Sequence, residues 1–184
     1  MKLLLLYLLF CYINVNHGDL AYTTVVTFGD SLSDTGNGYR ISQHTWPPLP
    51  PFNKNGSYTD NLTWNQILTQ KLLNGATLQD FAYGFATIDS ELVQGKMGSH
   101  ANINGNYSIR NSTKPPGVRQ QINDYINSTI NKTVDFDRTL YVISIGSNDY
   151  YYDQALTTFK TVQSIIECIN ILILFGIRNL LVIN

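Results

Sequence analysis

The sequence predicts an α/β fold, a three-layer α/β/α sandwich with a mostly parallel sheet between layers of helices. Short runs of β-branched and apolar residues alternate along the chain with segments of helical periodicity, and clusters rich in Gly, Pro or Asn separate them. Strands that alternate with helices are joined by right-handed crossovers, which makes neighbouring strands parallel. A chain of 184 residues that is 43% hydrophobic and 14% charged fits one globular domain.

Four segments are predicted to be strands: residues 22–28, 77–82, 139–145 and 180–183. The third is a near-continuous apolar run, which is typical of a strand covered on both faces. The fourth reaches the end of the sequence. An open parallel sheet that stops there lacks its next helix and strand, so we expect the sequence to be truncated at the C-terminus.

Three segments carry apolar residues at helical spacing. Their apolar positions are Trp64, Ile67, Leu68 and Leu72 in the first, Val118, Ile122, Tyr125 and Ile126 in the second, and Phe159, Val162, Ile166, Ile169 and Ile173 in the third. Gly75 and Gly176 follow the first and third segments and are expected to end those helices. Cys168 lies in the third segment and is predicted to be a small buried hydrophobic residue.

The first 18 residues are predicted to be a secretory signal peptide. Lys2 precedes an apolar run from Leu3 to Ile13, and Gly18 is a suitable small residue for cleavage. The alternatives are an uncleaved anchor or a buried first strand. Cleavage would leave one domain, residues 22–184, which has no stable membrane span and a single cysteine that cannot form an internal disulfide.

Six Asn-X-Ser/Thr acceptors for N-glycosylation support passage through a secretory route. They are Asn55, Asn61, Asn106, Asn111, Asn127 and Asn131. The expected location is therefore extracellular. The net charge of −1 and the lack of a basic stripe argue against a nucleic-acid partner.

Ser31 is the candidate nucleophile, because it directly follows the first predicted strand. Ligands of open α/β sheets bind at the carboxyl ends of the strands. Gly29 would allow a sharp exit from the strand, and a helix N-terminus beside Ser31 would favour developing negative charge. By position alone, a helix-capping serine is the alternative.

Two further segments end at comparable places and could complete an oxyanion hole. Gly84 follows the second strand and could present a backbone N–H, and Asn148 follows the third strand and could present its side-chain amide. With the N–H of Ser31, these would be three donors for one oxyanion. The residues expected to support them are Asp30, Asp34, Gly146 and Asp149, with Asp34 and Asp149 fixing loops rather than transferring protons.

These segments resemble the conserved blocks of the GDSL (SGNH) lipases and esterases. Phe28-Gly-Asp-Ser-Leu-Ser-Asp-Thr-Gly-Asn37 is similar to the first block, Asp80-Phe-Ala-Tyr-Gly84 to the second and Ile145-Gly-Ser-Asn-Asp-Tyr150 to the third. The loop from Thr45 to Trp64 looks like the fungal branch grouped with family 16 carbohydrate acetylesterases. The resemblance implies a flavodoxin-like fold and an acyl-enzyme on Ser31, with no metal or cofactor.

The chain departs from the family pattern at three points. Asp80 stands where the second block usually has Asn, and Phe85 stands where it usually has a second Gly, so either Gly84 or Phe85 could supply the oxyanion N–H. The family's base comes from an Asp-X-X-His motif, which does not occur in these 184 residues. The histidines are His17, His44 and His100, and the last two are expected to be solvated loop residues.

The sequence therefore predicts a secreted serine ester hydrolase that acts on acetylated carbohydrate or lipid esters. Without the base, this chain as written is expected to be weakly active or inactive, because loss of a triad member leaves only residual catalysis. The alternative is a non-catalytic secreted glycoprotein that binds cell-wall carbohydrate.

Overall fold

The computed structural model describes residues 22–48, 52, 55–97 and 113–183, and these ranges contain a four-stranded parallel sheet. The strands are β1 (Thr24–Gly29), β2 (Thr77–Asp80), β3 (Thr139–Ser144) and β4 (Leu180–Ile183). Their order across the sheet is β2-β1-β3-β4, and every neighbouring pair is parallel. The predicted α/β fold with a mostly parallel sheet is confirmed.

The helices cover both faces of this sheet. They are α1 (Asn37–Ile41), α2 (Trp64–Ile67), α3 (Val118–Thr129), α4 (Ser147–Tyr152) and α5 (Thr158–Phe175), and α2 continues into a π-helical turn over Leu68–Leu72. The predicted signal peptide, together with Asn106, Asn111, His17 and His100, lies outside the described residues.

Alternating side chains of the two central strands pack on opposite sides, as the pleat of a strand requires. Val26 and Phe28 of β1 join α3 and α5 in the larger core cluster. Val25 of β1 and Val142 of β3 point the other way and pack against Trp64 and the π-helical turn. The sheet is therefore a middle layer between helices, which holds the carboxyl ends of β1, β2 and β3 at one edge.

The buried face of α5 differs from the predicted one by one position. The residues facing the core are Thr161, Ile165, Cys168 and Leu172. Of the predicted stripe, Ile169 packs against the core cluster, whereas Phe159, Val162, Ile166 and Ile173 are exposed. The predicted apolar face was wrong because apolar residues stand at adjacent positions along this helix. Two neighbouring stripes therefore have the same helical spacing, and the spacing alone does not tell which of them is buried. The predictions that Cys168 is buried and that Gly176 ends the helix are confirmed; Gly176 has a φ of 104°.

The same composition makes α5 long and apolar enough to span a bilayer, with a mean hydropathy of 1.4 over 18 residues, of which 22% are buried. One face of α5 packs against the core, as in the helix of a globular domain, and the opposite face is exposed. Five large apolar residues of α5 are exposed: Phe159, Val162, Ile166, Ile173 and Leu174.

Candidate active site

Ser31 lies at the carboxyl end of β1, the central position between the ends of β2 and β3. Gly29, two residues earlier, passes so close to β3 that a Cβ there would lie 2.4 Å from the carbonyl oxygen of Ser144. Only glycine permits this approach. The backbone can therefore leave the sheet sharply and present Ser31, which is half-buried, above the strand ends.

Ser31 begins a hydrogen-bonded turn rather than a regular helix. The carbonyl oxygen of Asp30 accepts the N–H groups of Ser33 at 3.1 Å and Asp34 at 3.0 Å, and the first helix, α1, starts only at Asn37. The expectation that Ser31 stands at a helix N-terminus was wrong. The helix begins six residues after Ser31, at Asn37, with Gly36 as the residue before its first turn.

The start of α2 holds this turn from the other side of the sheet. The indole Nε1 of Trp64 donates to Ser33 Oγ at 3.1 Å, and Nδ2 of Asn65 donates to the Ser33 carbonyl oxygen at 2.9 Å. Both Ser33 and Asn65 are fully buried. Trp64 and Asn65 thus fix the turn that carries Ser31 at Ser33, two residues after the nucleophile.

Gln121 of α3 binds both polar groups of Gly29. Its Oε1 accepts the Gly29 N–H at 2.9 Å, and its Nε2 donates to the carbonyl oxygens of Gly29 and Pro116 at 3.0 Å each. Gln121 was not among the residues predicted for the site. The available signal was a polar side chain on the buried stripe that Val118, Ile122 and Tyr125 define.

Asp34 joins the loop after β1 to the segment after β2. Its carboxylate accepts N–H groups from Gly36, Asn37 and Gly38 within its own loop, and from Gly84 at 2.7 Å. Burial raises the pKa of Asp34, and the four N–H donors oppose that shift. Because the Gly84 N–H is directed at this carboxylate, the structure does not fit the prediction that Gly84 supplies the oxyanion donor.

Phe85 occupies a tight turn at the same place. The N–H of Ala86 donates to the Tyr83 carbonyl oxygen at 3.0 Å, and Phe85, the third residue of this turn, has a φ of 63°. A type II turn requires positive φ at this position and normally takes Gly there. A phenylalanine in this conformation costs about 1–3 kcal/mol.

The ring of Phe85 contacts two other aromatic rings. Its centroid lies 6.2 Å from that of Trp46 and 5.9 Å from that of Tyr58, the latter edge to face. Tyr58 packs directly on Gly84, since a Cβ at Gly84 would lie 2.1 Å from the Tyr58 hydroxyl. The Phe52 ring lies a further 6.0 Å from that of Tyr58.

Asn148 reaches from β3 to this turn. Gly146 turns the chain after β3 with a φ of 139°, which a side chain would strain, and α4 then carries Asn148. The Asn148 Nδ2 donates one hydrogen to the carbonyl oxygen of Ala86 at 2.8 Å. An amide nitrogen carries two hydrogens, so a second donor remains on the same atom.

Asp149 binds the backbone of the segment after β2, two residues beyond Ala86. Its two carboxylate oxygens accept the Ile88 N–H at 3.1 and 3.2 Å. Burial, together with the nearby negative charge of Asp30, raises the pKa of Asp149 to about 6. Burial also raises the pKa of Asp30, whose Oδ1 accepts the Leu32 N–H at 3.0 Å.

Asp80, at the end of β2, is bonded to the loop after β1. Its Oδ2 accepts the N–H of Thr35 at 2.8 Å and the Thr35 hydroxyl at 2.7 Å, and its Oδ1 accepts the N–H of Ala82 at 3.0 Å. Burial raises its pKa to about 7, and these hydrogen bonds oppose the shift. Asp34 and Asp80 therefore tie the two loops together at two points.

His44 lies in the loop after α1, exposed as predicted, with its ring edge to face on Tyr39 at 4.9 Å. Both residues line a cavity of about 390 Å³ together with Arg40 and Asn55. In the described ranges, His, Cys, Asp and Glu side chains form no group of three that could hold a metal ion.

Residues 25–173 match the family model of the GDSL-like lipases and acylhydrolases. The chain belongs to this family. It is 29% identical over 161 residues to an acetylesterase of Hypocrea jecorina, covering 83% of this chain and 43% of that protein. It is also 26% identical to the secreted effector protein SseJ of Salmonella typhimurium, over 93% of this chain and 36% of that protein.

A GDSL esterase/lipase of Arabidopsis thaliana is 28% identical over 138 residues, covering 67% of this chain and 37% of that protein. The GDSL chain described here thus spans less than half the length of these relatives. The family match includes all three strand ends that meet around Ser31, from Val25 in β1 to Ile173 in α5.

Proposed function

We propose that this GDSL chain carries the nucleophile and oxyanion hole of a secreted carboxylic ester hydrolase. One observation supports this most directly: Ser31 stands half-buried at the end of β1, while Asn148 spans from the end of β3 to Ala86 beyond β2. A nucleophile with convergent donors at the strand ends is the arrangement that acyl transfer needs.

In the proposed reaction, Ser31 Oγ forms a bond to the ester carbonyl carbon and passes its proton to a general base, which gives it to the departing alcohol. The carbonyl oxygen becomes a tetrahedral oxyanion, and its collapse breaks the bond to the alcohol, which leaves with a proton. Water then adds to the acyl group on Ser31, releases the acid and restores the hydroxyl. The balance is ester and water to acid and alcohol.

Three donors would hold the oxyanion: the N–H of Ser31, the second hydrogen on Asn148 Nδ2, and a backbone N–H of the turn after β2. In that turn we assign the donor to Phe85, since the Gly84 N–H is bonded to Asp34. Asp34 and Asp149 act as positioning residues in this scheme. Each accepts backbone N–H groups from the segment that carries Phe85.

We propose that the general base lies outside these 184 residues. The chain contains no Asp-X-X-His motif, and the relatives are more than twice the matched length. Residues 22–184 would then be the N-terminal portion of the hydrolase domain, after a signal peptide of residues 1–18. Full activity would belong to the complete natural protein.

For the substrate, we propose a small ester, an acetylated carbohydrate in preference to a lipid. The relative named an acetylesterase supports a short acyl group. Secretion is supported by the apolar run at the N-terminus and by the exposed side chains of Asn55, Asn61, Asn127 and Asn131. No metal or cofactor enters the scheme.

The test is hydrolysis of p-nitrophenyl acetate by the complete natural protein, its Ser31→Ala variant and a Ser128→Ala control. Ser128 is exposed on α3, and its hydroxyl donates to the Tyr125 carbonyl oxygen of the same helix. We expect Ser31→Ala to lose about a thousandfold or more in kcat and Ser128→Ala to match the parent protein. Equal rates for the parent and Ser31→Ala would refute the proposal and favour a non-catalytic glycoprotein.

A further inference from the structure

The Phe85 side chain stands next to the place where the ester carbonyl would be held. The residue before it is bonded to Asp34, and the residue after it is bonded through its carbonyl oxygen to Asn148. Consecutive Cα atoms are about 3.8 Å apart, so the Phe85 Cα lies within that distance of both anchored neighbours. The backbone of Phe85 therefore borders the proposed oxyanion site.

The Phe85 ring is packed against neighbouring aromatic side chains. Phe85 is half-buried, and its ring is in contact with the rings of Trp46 and Tyr58. Tyr58 in turn is pressed against Gly84, the residue before Phe85, and against the Phe52 ring. Trp46, Phe52, Tyr58 and Phe85 thus form a continuous aromatic wall beside the turn after β2.

The backbone of Phe85 indicates that this side chain has a use at the site. The turn would be relaxed with glycine, and phenylalanine at φ 63° is strained. Strain of this kind persists where the surroundings fix it, and it is concentrated at binding and catalytic sites. A glycine would leave open the volume that the phenyl ring fills.

We infer that Phe85, backed by Trp46 and Tyr58, is a specificity-determining residue that closes the acyl side of the site to chains much longer than acetyl. The inference rests on the proposed ester hydrolysis at Ser31. An acyl chain attached to a carbonyl carbon near the turn would collide with the ring as it lengthens. The short methyl group of an acetyl ester would instead pack against the ring face.

The experiment replaces Phe85 with Gly and with Leu in the complete natural protein and compares kcat/KM for p-nitrophenyl acetate, butyrate and octanoate. Because one methylene is worth about tenfold or more in a tight apolar pocket, we expect Phe85→Gly to raise the octanoate-to-acetate ratio by about tenfold or more. Phe85→Leu keeps a branched side chain and should give an intermediate ratio. Leu72→Ala, at an exposed position on the π-helical turn after α2, should leave the ratio unchanged.

The outcomes separate this inference from the proposed function. An unchanged acyl ratio in a folded Phe85→Gly protein that retains Ser31-dependent turnover overturns the inference and leaves the function intact. If the parent protein shows no turnover, both proposals are refuted. If Phe85→Gly does not fold, the octanoate-to-acetate ratio of Phe85→Leu tests the inference instead.

Discussion

Asp80 carries a carboxyl group whose ionisation is made costly chiefly by its removal from water. The side chain is half-buried between the loop after β1 and the segment after β2, and its pKa is raised to about 7, first by loss of solvent and in part by the charge of Asp34. Thr35 and Ala82 donate to it. An asparagine, which the family's second block usually carries, would keep one of the two acceptor oxygens without the charge.

We therefore expect the stability of the protein to depend on pH through Asp80. The group takes up its proton more readily in the folded than in the unfolded state, whose carboxyl pKa is near 3.9. Its stabilising contribution is present below about pH 4 and is lost as the pH rises through about 7. The Asp80→Asn variant should lose less stability than the parent protein between pH 4.5 and 7.5.

Urea unfolding at the two pH values measures this difference. Asp60→Asn is a matched control, because Asp60 is exposed and accepts a hydrogen bond from the hydroxyl of the neighbouring Thr59. If Asp80→Asn shows the same loss of stability as the parent and the control, Asp80 is not the group responsible.

Asn148 offers a second test at the scale of one residue. Replacement by Ala removes the proposed oxyanion donor and the bond to Ala86, so we expect kcat of the complete protein to fall about 100- to 1,000-fold with a much smaller change in KM. The matched control is Asn123→Ala, at an exposed position on α3. A rise in KM at constant kcat would instead indicate that Asn148 contributes only to substrate binding.

At the scale of elements, α3 positions the end of β1 through Gln121. Replacement by Met leaves the Gly29 N–H and two carbonyl oxygens without their partner, and each buried polar group left unpaired costs about 1–3 kcal/mol. We expect Gln121→Met to destabilise the protein and lower kcat. Gln163→Met, at an exposed position on α5 whose side chain is bonded to Glu167, should do neither.

A destabilised Gln121→Met protein with unchanged kcat would show that the contact is structural only. Urea unfolding and the acetate assay, run on the same preparations, provide both measurements.

The elements themselves could be predicted wherever one local pattern was sufficient. The apolar runs of β3 and β4, and the glycine that ends α5, each depend on neighbouring residues alone. The buried stripe of α5 could not be predicted, because the choice between Leu172 and Ile173 is made by the sheet and α3, which are distant in sequence. The same holds for Gln121, which is 92 residues from the glycine it binds.

The site shows the same limit. The sequence predicted that Ser31, Gly84 and Asn148 follow strand ends, and each lies within four residues of one in the structure. It could not show that the Gly84 N–H is bonded to Asp34, a contact across 50 residues. The conformation of Phe85 was equally hidden, because phenylalanine does not signal a positive φ as glycine does.

Two neighbouring leucines of α5 test the register of that helix. Leu172 is fully buried and Leu174 is 87% exposed. Leu172→Ala should cost about 2–5 kcal/mol in urea unfolding, whereas Leu174→Ala should change stability by less than about 0.5 kcal/mol. A large cost at Leu174 would show that another part of the natural protein covers this face of α5.

At the scale of the whole molecule, secretion and glycosylation make one prediction. The four described acceptor asparagines are exposed: Asn55, Asn61, Asn127 and Asn131. We expect the protein recovered from a eukaryotic culture medium to lose mass on treatment with an N-glycosidase and to begin after residue 18. A product that stays in the cell with Met1 at its N-terminus would contradict the secretory interpretation.

The position of β4 at the side of the sheet has a practical consequence. In the described ranges β4 pairs with β3 alone, so its other side presents a row of backbone N–H and C=O groups. Three of its four side chains, Leu181, Val182 and Ile183, are apolar and more than a third exposed. Such an edge is a template for strands of other molecules. We therefore expect the 184-residue chain, produced by itself, to aggregate. A charged residue on the exposed side of β4, such as Val182→Lys, should reduce the aggregation.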